Sequence, residues 1–346
     1  MTGITRELLR SMPKAELHCH LDGSIRPSTL LELGREYGQP MPAPTSEGLA
    51  LVMAAHDVRD LAGYLGRFET TLSVMQTADA LQRIAYELVE DAARDGVRYM
   101  EIRYCPALNV RGELSLCDAV DASLRGIERA ERDHGTMARI IICGLRHTSP
   151  ALSLELAELA VAYRGRGVVG FDLAGGELGN PARAHVAAFD HARRHELRIT
   201  VHAGEAAGAE SVREAVFDLC AERIGHGTRL FEDSALAAYV NDRRIALEVC
   251  LTSNVQTHVV PSYSAHPLRA YFDSGLNVSL NTDNRLISGT TLTDEFLHAA
   301  KHLDFTLQEL GEMAINAFAS AFLPWETRRV LLDEARRDIE VLTAPC

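Results

Sequence analysis

The sequence predicts an α/β fold: a (β/α)8 barrel of parallel strands, with an inserted helical lid after the first βα unit and extra C-terminal helices. Three observations carry this reading. Eight short runs rich in β-branched residues alternate with helical patterns, and such alternation implies parallel strands joined by crossover helices. Eight units in one chain favour a closed barrel over an open doubly wound sheet. No Gly-x-Gly-x-x-Gly follows the first run, which argues against the dinucleotide-binding form of the open sheet.

In chain order the strand candidates are "AELHCHL" (15–21), "RYMEIRY" (98–104), "RIIICGL" (139–145) and "VVGFDLA" (168–174), followed by "RITVHAG" (198–204), "RIGHG" (223–227), "ALEVCLTSN" (246–254) and "LNVSLNTD" (276–283). Between them, residues 79–95 place Leu81, Ile84, Ala85, Leu88, Val89 and Ala92 on one helical face, and Gly96 stops that helix. Ser149-Pro150 and Asn180-Pro181 each read as an N-cap with proline at the first helical position. Residues 181–196, 209–222, 232–243 and 264–274 are further helix candidates, and three helices near 291–303, 306–320 and 325–340 trail the last strand. Residues 40–78 form an insertion after the first helix. Within it Leu61, Tyr64, Leu65 and Phe68 make an apolar stripe at helical spacing, suited either to core packing or to a lid. No linker splits the chain, so residues 1–346 are read as a single barrel domain.

Composition narrows the partners. There are 35 Lys and Arg against 48 Asp and Glu, a net charge of −13. That field opposes nucleic acid and anionic membranes. The seven cysteines are scattered without C-x-x-C spacing, as expected of free thiols in a reducing compartment. No apolar run is long enough to span a bilayer, and the first residues lack a signal-peptide core. The expectation is a cytoplasmic protein. Nothing in the sequence sets an oligomeric state.

In such a barrel, chemistry sits where the strands end, and the unusual polar residues fall there. The first strand ends in His18, His20 and Asp22, the fourth in Asp172 and "AGGE", and the fifth in His202 followed by Glu205. The sixth carries His226, the seventh Ser253 and Asn254, and the eighth Asp283 and Asn284. Alternate residues of a strand share a face, so His18 and His20 both point into the barrel. Two adjacent imidazoles make a poor core but a good chelate. His202 and Asp283, arriving from other strands, would complete a His3Asp shell suited to one zinc ion with room for a water. The other ten histidines lie mostly in helices and loops and take no role. Arg103 and Arg146 end strands as well, and are expected to form buried ion pairs.

The motifs "AELHCHLDGSIRP", "GFDLAGGELG", "TVHAGE", "RIGHGTRL", "CLTSNVQT" and "LNVSLNTDN" together resemble the adenosine deaminase family of the amidohydrolase superfamily, in that family's order. The resemblance implies one Zn2+ per chain and hydrolytic deamination of adenosine and 2′-deoxyadenosine to inosine and 2′-deoxyinosine. By resemblance, His18, His20, His202 and Asp283 are the metal ligands. Glu205 is the proton donor, and His226 stands beside the attacking water, accepting its proton or stabilising its charge. Asp22 faces the ribose, with His20 beside it on the substrate side. Gly175 meets purine nitrogen 3. Asn284 stands where the family commonly has a second Asp facing nitrogen 7; an Asn amide can donate to that acceptor, whereas an ionised Asp cannot. Related adenine deaminases carry Glu at the position of Asp22. The shorter Asp leaves space for a sugar, whereas the departure at Asn284 leaves another 6-aminopurine, such as 6-aminodeoxyfutalosine or adenine, as the alternative substrate. A different superfamily hydrolase would lack Glu205, and a catalytically dead relative would not keep an intact ligand set.

Overall fold

The computed structural model describes residues 3–56, 58 and 60–344. The outermost residues of the predicted 1–346 unit, and residues 57 and 59 of the 40–78 insertion, lie outside that set. Eight parallel strands run in sequence order: β1 Lys14–His20, β2 Val97–Tyr104, β3 Met137–Leu145, β4 Val168–Ala174, β5 Arg198–Ala203, β6 Arg223–His226, β7 Ala246–Val249 and β8 Val278–Leu280. Closure between last and first strands comes just past β8. The Asp283 N–H donates to the His18 carbonyl at 3.0 Å, and the His20 N–H to the Asp283 carbonyl at 2.7 Å. The side chain of Asn281 extends this seam by accepting the N–H groups of Leu17 and His18. The predicted fold class is the observed one.

The expected strand 276–283 is regular only over Val278–Leu280, and the expected helix 264–274 divides into a 3-10 turn, Tyr263–Ala265, and a helix, Leu268–Asp273. Two further expected elements change in kind. The run 246–254 is a strand only to Val249, and Leu251–Gln256 is a helix. A short apolar run does not by itself distinguish strand from buried helix. Here the turn carries Asn254 back beneath His226 instead of past the rim. Asn180 does not cap a helix; Pro181 is extended and precedes a 3-10 turn, Ala182–His185, that leads into Val186–Arg194. The Asn180 amide instead donates to the carbonyls of Gly176 and Leu178, bracing the loop after β4. Ser149 caps Pro150–Ala162 as expected.

The floor of the barrel is sealed by the helix Leu307–Ser320 and the turn after it, with Ala317, Phe318 and Ala321 packed on Ala15, Leu17 and Tyr99. The other trailing helices are Leu292–His302 and Trp325–Thr343. The insertion folds as Ser46–Met53, Leu61–Leu65 and Phe68–Leu72. Arg103 forms the expected buried ion pairs, with Asp172 at 3.0 Å and Glu248 at 2.8 Å. Arg146 does not. It donates to the carbonyls of Asn180 and His202, because its strand end faces loop backbone rather than a carboxylate.

Helices Ala78–Arg94 and Leu116–His134 pack closely through Gly126, where an added Cβ would stand 2.2 Å from the Gln82 carbonyl oxygen. Gly126→Ala must push these helices apart. It should destabilise the protein by about 1–3 kcal/mol, as overpacking does. The expected reading is a lower urea midpoint with an unchanged slope.

Candidate active site

The C-terminal rim gathers His18 and His20 from β1, His202 from β5, His226 from β6, and Asp283 from the seam, all buried. His226 and Asp283 have positive φ, +63° and +62°. Such conformations are uncommon outside glycine and recur at functional sites. They turn both side chains across the barrel mouth instead of along the strands.

The outer partner of each imidazole decides what its inner nitrogen offers. The His18 Nδ1–H donates to Glu248 at 3.0 Å, so Nε2 faces inward as a lone pair. The His202 Nδ1–H donates to Asp172 at 3.0 Å, with the same result. Carboxylate-oriented imidazoles of this kind are typical of metal centres. Burial opposes ionisation of Glu248, but Arg103 and Arg223 win and hold it below the usual carboxylate range.

The inner atoms fit one cation. His20 Nε2 and His202 Nε2 stand 3.1 Å apart, and Asp283 Oδ1 lies 3.4 Å from both His18 Nε2 and His20 Nε2. Two atoms each about 2.0–2.1 Å from one tetrahedral ion would lie about 3.3 Å apart. His18 Nε2 is buried with no hydrogen-bond partner among the described residues. Burial and Arg103 lower the pKa of His18, yet Asp283 and Glu248 outweigh them and raise it, so the site favours positive charge at this nitrogen. A group of His18, His202, His226 and Asp283 also offers atoms within 4.8 Å of one another. The geometry thus brings together all four predicted ligands and places His226 against them.

Glu205 is buried, its carboxylate 3.7 Å from His226 Nε2. Burial raises its pKa well above the usual value, and the charges of Asp283 and Glu177 add to the effect. It does not cap the following helix, Ala209–Phe217, whose N-cap is Gly208. Glu177 was visible only as the acid of "AGGE". Its carboxylate accepts the N–H groups of Gly204, Glu205 and Ala207 and so anchors the turn that carries Glu205. Asp22 is buried, its Oδ1 4.0 Å from His20 Nδ1 but without a hydrogen-bond partner among the described residues, and burial pushes its pKa up to about 7.

Gly175 lies on the cavity wall with φ +87°. The Asn284 amide donates to the Tyr64 hydroxyl at 2.9 Å, and that hydroxyl shares a 2.6 Å bond with Ser288. The stripe Leu61, Tyr64, Leu65 and Phe68 lines the cavity although its helix breaks between Leu65 and Phe68. The enclosed space is about 30 Å3. An outer chamber of about 700 Å3 shares Leu61, Leu65 and Glu205 with it. Sequence reasoning gave no role to Glu248, and its signal was a lone carboxylate between Leu247 and Val249. It also passed over His266, which is buried and hydrogen-bonded to Asn254.

Comparisons with known proteins agree with this geometry. The sequence model of the family described as "Adenosine deaminase" matches residues 13–337. An adenosine deaminase of Mycobacterium sp. (strain JLS) is 42% identical over 352 residues, covering 96% of each chain. Among solved structures, an adenine deaminase from Arthrobacter aurescens superposes with a TM-score of 0.89 at 29% identity, over 95% of this chain and 99% of that one. An amidohydrolase from Burkholderia ambifaria with bound Zn does so with a TM-score of 0.89 at 27% identity, over 99% and 95%. With the motifs, the barrel and the rim cluster all in place, the chain belongs to the adenosine deaminase family.

Proposed function

We propose that the protein deaminates adenosine and 2′-deoxyadenosine hydrolytically, giving inosine and 2′-deoxyinosine plus ammonia. In this reading His18, His20, His202 and Asp283 hold one zinc ion per chain. The observation that carries the reading is a buried, readily protonated carboxyl, Glu205, placed beside a nitrogen-rich cation site. A divalent ion bound there supplies Lewis acidity, which brings a coordinated water to a pKa of about 7.

The reaction forms a bond from water oxygen to purine carbon 6 and breaks the bond from that carbon to the exocyclic nitrogen. Glu205 delivers its proton to ring nitrogen 1 as carbon 6 becomes tetrahedral, so charge does not build up on the ring; of the two protons of the attacking water, one restores Glu205 and the other passes by way of the Asp283 carboxylate to the exocyclic nitrogen, which leaves as ammonia. Asp283 and His226 flank the attacking water and orient it. Asp22 Oδ1, 4.0 Å from His20 Nδ1 and without a hydrogen-bond partner among the described residues, is free to accept from a sugar hydroxyl, which favours a nucleoside over a free base. Asn284 uses one amide hydrogen on Tyr64 and keeps the other for the acceptor nitrogen 7. Ligand pockets hold about 300–1,000 Å3; the 30 Å3 inner space holds the reacting atoms, and the adjoining 700 Å3 chamber, which shares Leu61, Leu65 and Glu205 with it, takes the rest of the substrate beneath the Leu61–Leu65 helix. That cover excludes water and strengthens the electrostatics around the reacting atoms.

The match over residues 13–337 supports one catalytic domain. The six cysteines of the described residues are free, and no helix among those residues is long and apolar enough to cross a membrane. Both fit a cytoplasmic enzyme.

A panel of adenosine, 2′-deoxyadenosine, adenine, AMP and 6-aminodeoxyfutalosine, followed by ultraviolet absorbance, tests the substrate. Turnover should be fastest with the two nucleosides; preference for adenine would favour the second reading, which the Arthrobacter similarity keeps in view. Metal analysis should return about one divalent ion per chain. Glu205→Gln should keep that ion while turnover falls by at least about 10²–10⁴-fold, the usual contribution of a positioned acid. Asp172→Asn should weaken metal affinity by about 10–100-fold, as loss of an imidazole's outer partner does; competition with a chelator measures it.

A further inference from the structure

A buried chain of hydrogen bonds behind His226 fixes which of its nitrogens carries the proton. It starts at a donor that cannot be reassigned. The backbone N–H of Leu268 donates to His266 Nδ1 at 3.0 Å. That nitrogen therefore carries no proton, and burial pushes the pKa of His266 down to about 3, so the ring is neutral. Its single proton sits on Nε2, which lies 3.1 Å from Asn254 Oδ1. The Thr228 hydroxyl donates to the same oxygen at 2.9 Å. With two donors on its oxygen, the orientation of the Asn254 amide is settled. Its Nδ2 then faces His226 Nδ1 at 3.1 Å and donates to it. The proton of neutral His226 is left on Nε2, the atom that faces Glu205 and the cation site. Every side chain in the chain of bonds is buried.

We infer that Asn254 and His266 are positioning residues that lock His226 as the Nε2–H tautomer, so that His226 meets the reacting centre as a hydrogen-bond donor, neither a metal ligand nor a general base. The consequence for catalysis rests on the deaminase reading; the tautomer does not. His20 has no such donor on its outer nitrogen, which lies 4.0 Å from Asp22, and in the deaminase reading it is the third imidazole of the ligand shell. The helical turn at Leu251–Gln256 is what brings Asn254 beneath β6.

The test reads nitrogen chemical shifts and two-bond couplings of the histidine rings in the metal-loaded, 15N-histidine-labelled protein without substrate. His226 is assigned by comparison with His226→Gln. Both His226 and His266 should show a protonated Nε2 and an unprotonated Nδ1. A protonated Nδ1 at His226, or a metal-shifted Nε2, would overturn the inference whatever the enzyme's substrate proves to be. In Asn254→Asp the donor facing Nδ1 is replaced by an acceptor. His226 should switch to the Nδ1–H form while His266 keeps its own. kcat should fall about 10²-fold, as when one preorganised donor is lost, with KM and metal content little changed. An unchanged His226 tautomer in a folded Asn254→Asp protein would also reject the assignment. Inactivity of the wild-type protein toward every nucleoside, with the tautomer as stated, would count against the substrate reading alone.

Discussion

The structure depends on the seam between its last and first strands. β8 is short, and pairing with β1 is completed by Asp283 itself, through both its N–H and its carbonyl. The same residue that closes the barrel presents a carboxylate to the imidazoles of His18 and His20. Folding and site assembly are therefore one event. Glu16 reinforces the seam from below by accepting the Thr282 hydroxyl and pairing with Arg285, so the segment on either side of Asp283 is clamped to β1. A buried charge that loses its partner costs about 3–5 kcal/mol. Glu16 and Arg285 thus hold Asp283 in a backbone conformation that it would not otherwise prefer.

Beneath the rim lies a charged layer where a barrel interior would ordinarily be branched aliphatic. Arg103 bridges Asp172 and Glu248, and those two carboxylates each hold one imidazole by its outer nitrogen. Thr200 donates a further bond to Glu248. Buried ion pairs are poor sources of stability compared with apolar packing of equal volume. Their value here is orientation. Each carboxylate fixes a tautomer, and the guanidinium between them keeps both carboxylates ionised. The inward-facing lone pairs of His18 and His202 thus depend on Arg103, which pairs with both outer carboxylates.

Much of this was legible in the sequence, for reasons of periodicity. Alternation with period two sent His18 and His20 to the same side, and the strand ends located Glu205, His226 and Asp283. What escaped lay in residues whose role depends on a partner far along the chain. Glu248 reads as an isolated charge in an apolar run until folding sets it against His18, 230 positions away. The strand drawn through 246–254 failed because "CLTSN" is equally compatible with a buried helical turn. That error hid Asn254, since a residue on a strand end would point past the rim. His266 fell in the helix candidate 264–274 and was given no role, and only the fold shows it buried. The lid stripe had two readings in one dimension. The break between Leu65 and Phe68, which turns its side chains over the cavity, depends on tertiary packing.

The lid and the interior network solve different halves of one problem. The pKa of a group such as Glu205 stays raised only while water and counter-charges are kept away. Burial and the nearby carboxylates supply that condition, but burial also closes the route by which substrate arrives. The fold separates the two requirements spatially. The permanent elements of the site are fixed by strands, by the seam and by buried hydrogen bonds. Leu61 and Leu65, on a short helix, line both the inner and the outer chamber together with Glu205, and Tyr64 ties that helix to the rim through Asn284 and Ser288. Hydrogen bonds of this kind contribute about 0.5–1.5 kcal/mol net. That is enough to hold this helix over the inner space, and Asn284 and Ser288 are the residues through which Tyr64 meets the rim.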